Sequence, residues 1–146
     1  MAGAKCVDFG GKVAKILPRI LREVTSRQAS IFLQGDISFP HIVILEFLKE
    51  TGSGKMSDLA KILHLTTSAV TAIVDKMVDL NLVKRERSSK DRRVVRISLL
   101  KKGEEITRRV GEERKSVAND IFSVLTEQEK CEYLRLLTKV SDSLKG

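Results

Sequence analysis

Two stretches of this chain carry side chains suited to gripping a polyanion. Between Lys84 and Arg96 there are seven basic residues (Lys84, Arg85, Arg87, Lys90, Arg92, Arg93 and Arg96) against two acidic ones (Glu86 and Asp91). These thirteen residues therefore hold +5 of the chain's net +8. Like charges packed this densely repel one another unless phosphates relieve them, although a solvated basic face has the same composition. The second stretch is Thr66-Thr67-Ser68, followed by Thr71, Ala72 and Lys76. On the first turns of a helix, such hydroxyls and the free N–H groups beside them would hold a phosphate. Their short side chains favour hydroxyl contacts and apolar contact with thymine methyls over bidentate reading of guanine. Asp75, on the same stretch, either accepts from a cytosine amino group or pairs with a nearby Arg or Lys.

The surrounding residues show what must position these groups. Val70, Ile73, Val74, Met77 and Leu80 keep helical spacing, with Ser68, Thr71, Ala72, Asp75, Lys76 and Asp79 on the opposite face. This predicts a helix over about Thr66 to Leu80, with Thr66 or Thr67 as N-cap and Asn81 as a left-handed C-cap. Upstream, Ser57 to Leu63 reads as a shorter helix capped by Ser57, joined through His64-Leu65-Thr66-Thr67. Downstream, Leu82 to Arg87 and Val94 to Leu99 read as strands flanking the polar turn Ser88 to Arg92. Lys55 and Met56 suit a short third strand. Helix, turn, helix and hairpin together make a winged helix-turn-helix.

The run from Met56 to Ile106 resembles the MarR (multiple-antibiotic-resistance regulator) family. The resemblance is carried by Leu59-Ala60, Leu63, Ser68, Val70-Thr71, Val74-Asp75, Met77, Leu80, Leu82-Val83, Arg85, Asp91-x-Arg93, Leu99 and Gly103. Leu100 departs from it, since the family usually has Leu-Thr where this chain has Leu99-Leu100. The resemblance also extends over the flanking helices. It implies a mainly α fold, an α+β winged helix, in one domain over residues 1–146. Residues 38–100 form the DNA-binding part, and residues 12–34 and 101–146 supply dimerisation helices. It further implies that Arg93 enters a minor groove with Asp91 holding its guanidinium, while Arg87, Lys90 and Arg92 meet phosphates. A narrow, A·T-rich groove would strengthen the attraction for Arg93. By the same resemblance, a small molecule, often a phenolic or other aromatic anion, is the usual switch. Peroxide sensing through an N-terminal cysteine held by tyrosines occurs in one branch. Cys6 lies in that region, but Tyr133 is the single tyrosine, so the signature is incomplete.

Composition narrows the remaining classes. With 146 residues, 42% hydrophobic and 32% charged, the chain has enough apolar material for a real core. No apolar run approaches the ~20 residues of a membrane span, and no signal segment opens the sequence, which points to the cytoplasm. Cys6, Cys131, His41 and His64 are not at metal-ligand spacing, so no metal or resident cofactor is expected. No nucleophile–base set appears, and Thr51-Gly52-Ser53-Gly54-Lys55 fails the phosphate-loop spacing. An enzyme is therefore not expected.

The flanks supply the assembly. Val13, Ile16, Leu17, Ile20, Leu21 and Val24 keep helical spacing around Pro18, which must kink that helix or mark its start. Ile31-Phe32-Leu33 would extend it before Gly35-Asp36 closes it. Ser38 and Pro40 open a second helix in which His41 reads as a half-exposed surface residue, with a ligand-pocket or backbone-contact residue as the alternative. Lys101-Lys102-Gly103 leads into a long helix with a thin apolar stripe, and Thr126 and Glu129 match a capping box for the last helix. The stripes of the first and last two helices cannot all be covered within one small chain, and a symmetric homodimer covers them. Such a dimer would set two reading helices roughly 34 Å apart on a pseudo-palindromic duplex. The expected function is thus a sequence-specific, ligand-responsive DNA-binding repressor. A winged-helix module for protein or RNA is the alternative.

Overall fold

The computed structural model describes residues 5–28 and 36–145. Its elements are α1 (Phe9–Arg27), α2 (Phe39–Thr51), β1 (Gly54–Lys55), α3 (Met56–Leu63), α4 (Thr67–Asp79), β2 (Val83–Arg87), β3 (Val95–Leu99), α5 (Lys101–Ile121), a 3-10 turn (Phe122–Val124) and α6 (Glu127–Ser143). The fold is mostly helical with one small antiparallel sheet of order β1-β3-β2. The described chain divides into two packed units, Gln28–Glu113 and Met1–Arg27 with Arg114–Gly146.

The first unit holds the core. Ile42, Ile44, Leu45 and Leu48 of α2 pack with Leu59 of α3, Val70, Val74 and Met77 of α4, and Leu82, Val83 and Ile97 of the hairpin. Each of these is at most 1% exposed. The helical stripe of α4 is thus buried at Val70, Val74 and Met77, with Ile73 and Leu80 half-buried against the same cluster. The hairpin register sets Val83 opposite Leu99, Arg85 opposite Ile97 and Arg87 opposite Val95. With period-2 alternation, those pairs share the core-directed face, while Lys84, Glu86, Arg96 and Ser98 share the other. β3 is central and β2 forms an edge with four successive charged residues, Lys84 to Arg87.

Several local expectations need correction. Helix α3 begins at Met56, one residue ahead of Ser57. Its N-cap is Lys55, whose N–H donates to the Asp58 carboxylate at 3.0 Å, so Ser57 lies inside the first turn. Helix α1 begins at Phe9 and runs through Pro18. The ring leaves the Ala14 carbonyl without its i+4 donor but does not end the helix. Ile31, Phe32, Leu33 and Gly35 lie outside the described residues.

The first turn of α5 grips the segment that follows α4. The Leu100 N–H donates to the Leu82 carbonyl at 3.0 Å, and Lys102 Nζ donates to the Leu80 carbonyl at 3.0 Å. A Cβ at Gly103 would stand 2.2 Å from the Leu82 carbonyl oxygen, so only glycine admits this approach.

In the second unit, Thr126 Oγ1 accepts from the Glu129 N–H at 3.3 Å and Glu129 accepts from the Thr126 N–H at 2.8 Å, as the capping box requires. The Phe122 and Tyr133 rings meet at 5.0 Å. Neither α1 nor α6 buries a residue. Ile16, Leu17 and Leu21 of α1 are exposed, as are Leu134, Leu137 and Val140 of α6.

Candidate nucleic-acid interface

The reading helix is set by its cap and by the turn before it. After α3 the chain takes a left-handed residue at His64 (φ 53°), a conformation L-residues rarely adopt, and this turns the chain within a few residues into α4. Thr66 Oγ1 then accepts from the Ala69 N–H at 3.3 Å, confirming Thr66 as N-cap. Thr66, Thr67, Ser68, Ala72 and Lys76 are exposed and Thr71 is half-exposed. The Thr71 hydroxyl donates to the Thr67 carbonyl at 2.8 Å. Its proton is therefore engaged by the backbone, while its oxygen remains an acceptor. Asn81 (φ 59°) ends the helix in the left-handed conformation its residue type favours.

Asp75 does not present a free carboxylate. Its Oδ1 lies 2.5 Å from the guanidinium of Arg85 on β2, so this ion pair ties the reading helix to the hairpin. Both partners are partly exposed, and the pair contributes at most about 1 kcal/mol to stability. Its effect is to hold two elements in register.

The wing turn is held by its own side chains. The Ser88 N–H donates to the Val94 carbonyl at 2.8 Å, and the Val94 N–H to the Asp91 carbonyl at 3.0 Å. Ser88 Oγ accepts from the Lys90 N–H at 3.3 Å. Asp91 Oδ1 accepts the backbone N–H of Arg93 at 3.0 Å. This differs from the expected role of Asp91 as a clamp on the guanidinium: the carboxylate shapes the turn, as short Asx side chains do. Arg87, Lys90, Arg92 and Arg93 are all exposed around it.

His41 is buried, where the sequence suggests a half-exposed surface residue. It is 4% exposed, with Nδ1 accepting from the Ser38 N–H at 2.9 Å and lying 3.0 Å from Ser38 Oγ. A neutral imidazole in the third helical position thus completes a cap for α2. Burial holds its pKa below the ordinary value of 6.5, and the Lys76 ammonium adds to that shift. Below about pH 6.5 the unfolded chain then binds more protons than the folded one, so stability falls as the pH drops through this window. Denaturant midpoints measured from pH 7.5 to 5 should show this fall, and His41→Gln should flatten it.

All the residues expected to contact DNA on α4 and on the wing lie in one packed unit, Gln28–Glu113, and in that unit helix and hairpin share a core and an ion pair. Arg85 and Lys102 escaped notice as positioning groups because their roles depend on contacts between distant segments, and His41 because an imidazole at the third helical position does not announce a cap.

The model of the MarR family matches residues 37–95, from just before α2 to the start of β3. The transcriptional regulator YsmB of Bacillus subtilis is 30% identical over 142 residues, which is 97% of this chain and 97% of that protein. The chain belongs to the MarR family. The HTH-type transcriptional repressor MdtR of Bacillus subtilis is 32% identical over 102 residues, which is 70% of this chain and 66% of that protein. A solved MarR family protein from Bacillus stearothermophilus superposes with a TM-score of 0.84 at 29% identity, covering 93% of this chain and 95% of that one. These relatives are transcription regulators, the chain is a DNA-binding regulator of the MarR family, and none of these names denotes an enzyme. Among the described residues no helix is long and apolar enough to cross a membrane.

Proposed function

We propose that this MarR-family chain is a repressor that acts as a homodimer on a pseudo-palindromic duplex and releases it on binding a small aromatic or anionic effector. The observation that carries the DNA reading is the shared unit of α4 and the wing, with Asp75 and Arg85 joined across it. In this reading Thr66, Thr67 and Ser68 meet phosphate and base edges at the start of the major-groove helix, Thr71 and Ala72 touch thymine methyls, and Lys76 meets the backbone. Arg93 enters the adjacent minor groove from a turn shaped by Asp91, and Arg87, Lys90 and Arg92 supply salt-dependent affinity.

The homodimer is supported by the apolar stripes of α1 and α6, which the single chain leaves exposed. The repressor mode is supported by the similarity to MdtR. Release by an effector rests on the family's usual behaviour, a ligand that binds one spacing of the reading helices better than another.

Selection of bound sequences from random duplexes, with sedimentation of the free protein, tests this reading. The expected outcome is a two-fold related motif with half-sites one helical turn apart, bound by a dimer. Recovery of no duplex in dilute buffer, from protein that sediments as a monomer at micromolar concentration, would overturn it. Repeating the selection with aromatic acids present tests release.

A further inference from the structure

One face of the wing carries a groove in which Arg96, a cation that the contacts assigned so far leave unused, joins Arg87 and Lys90. It has a volume of about 440 Å³ and is lined by Glu86, Arg87, Ser88, Ser89, Lys90 and Arg96. Three cations and two hydroxyls thus surround a single carboxylate. That carboxylate is already neutralised, because Glu86 lies 2.7 Å from Lys84 Nζ, and Lys84 is not part of the lining. The Ser88 oxygen accepts from the Lys90 N–H, which leaves its own proton free to donate.

Arg96 differs from the other wing cations. It sits on the central strand, opposite Glu86 of β2 on one side and Lys55 of β1 on the other. One guanidinium nitrogen donates to Ser53 Oγ at 3.1 Å, so the side chain is held while the rest of its donor fork stays available. A pre-positioned guanidinium, an ammonium and hydroxyl donors around one concavity are the set that a phosphate group needs.

We infer that this groove is a phosphate-binding subsite with Arg96 as its anchor. The inference rests on the regulator reading above and deepens it, because it adds a contact on the hairpin face away from the core. The phosphate comes either from the DNA backbone or from a free phosphorylated molecule, and the two sources are separable by experiment.

In the first arm, duplex affinity is measured against salt concentration for the wild-type chain, Arg96→Ala and Arg96→Lys, each checked for an unchanged melting curve. A backbone phosphate held by Arg96 makes the slope of log K on log salt shallower by about 0.9 in Arg96→Ala, with the slope restored in Arg96→Lys. In the second arm, inorganic pyrophosphate is titrated at ionic strength matched with chloride while the Arg96 side-chain N–H resonance is followed by NMR. A saturable shift assigns a free phosphorylated ligand, and its absence together with the altered slope assigns the DNA backbone. An unchanged slope in Arg96→Ala with no pyrophosphate shift overturns the subsite. If the wild-type chain binds no duplex, the regulator reading fails by itself, and the pyrophosphate arm alone decides the groove.

Discussion

Arg93→Ala is expected to leave the melting curve unchanged and to weaken duplex binding by roughly 10- to 100-fold, the loss associated with about 1–3 kcal/mol at a base-reading contact. The side chain is exposed and lies in a turn whose hydrogen bonds use the Arg93 backbone and the Asp91 carboxylate, so truncation beyond Cβ removes none of them. Electrophoretic mobility shifts at fixed salt would read the change directly. The effect should be largest on sites with a narrow A·T-rich minor groove and smaller on G·C-flanked sites. Equal losses on both would mean that Arg93 meets only phosphate, and an unchanged affinity would remove the wing from the reading surface. Asp91→Ala provides the companion measurement. Because Asp91 shapes the turn through the Arg93 N–H, its loss should weaken binding by misplacing Arg93, although an acidic group near DNA has been deleted. On charge alone, the same deletion would strengthen binding.

The second large effect is structural. Gly103→Ala places a methyl 2.2 Å from the Leu82 carbonyl oxygen and 3.2 Å from Leu45 Cδ2. The nearest obstacle is backbone, which cannot rotate away. Either the first turn of α5 or the Leu82 turn must move, which would lengthen the Leu100–Leu82 and Lys102–Leu80 hydrogen bonds. Overpacking of this kind costs about 1–3 kcal/mol, so thermal denaturation should fall by roughly 3–10 °C. Gly111→Ala, where nothing lies within 4 Å of the added atom, provides the control and should be neutral or slightly stabilising within a helix. If the two variants melted alike, the grip of α5 on the end of the reading helix would not exist as described.

What the sequence disclosed, and what it concealed, follows partly from the range of the interactions involved and partly from how plainly a residue type signals its local role. The stripe of α4, the Thr66 cap, the capping box of Thr126 and Glu129, the left-handed Asn81 and the two long strands were all legible, since each depends on residues within a few positions of one another. β1 was legible at Lys55 but was placed one residue late, because Met56 already belongs to α3. Three groups were hidden. His41 reads as a surface residue until its ring is seen turned back on the Ser38 N–H. His64 takes a positive φ, which histidine adopts more often than most residues but which nothing in the flanking sequence singles out. Gly103 resembles an ordinary helix-opening glycine, and its necessity comes from Leu82, twenty-one positions earlier. At the candidate interface the residues of α4 and the wing could be named from spacing and charge. The engagement of Asp75 by Arg85 and the backbone role of Asp91 required coordinates.

The order of the small sheet has a further consequence for colloidal behaviour. β2 lies at an open margin, where unpaired amide and carbonyl groups would template the addition of strands from other molecules. Lys84, Arg85, Glu86 and Arg87 occupy that margin without an intervening apolar residue. Their hydration and charge discourage self-templating and fibril growth, a purpose separate from the proposed contacts to nucleic acid.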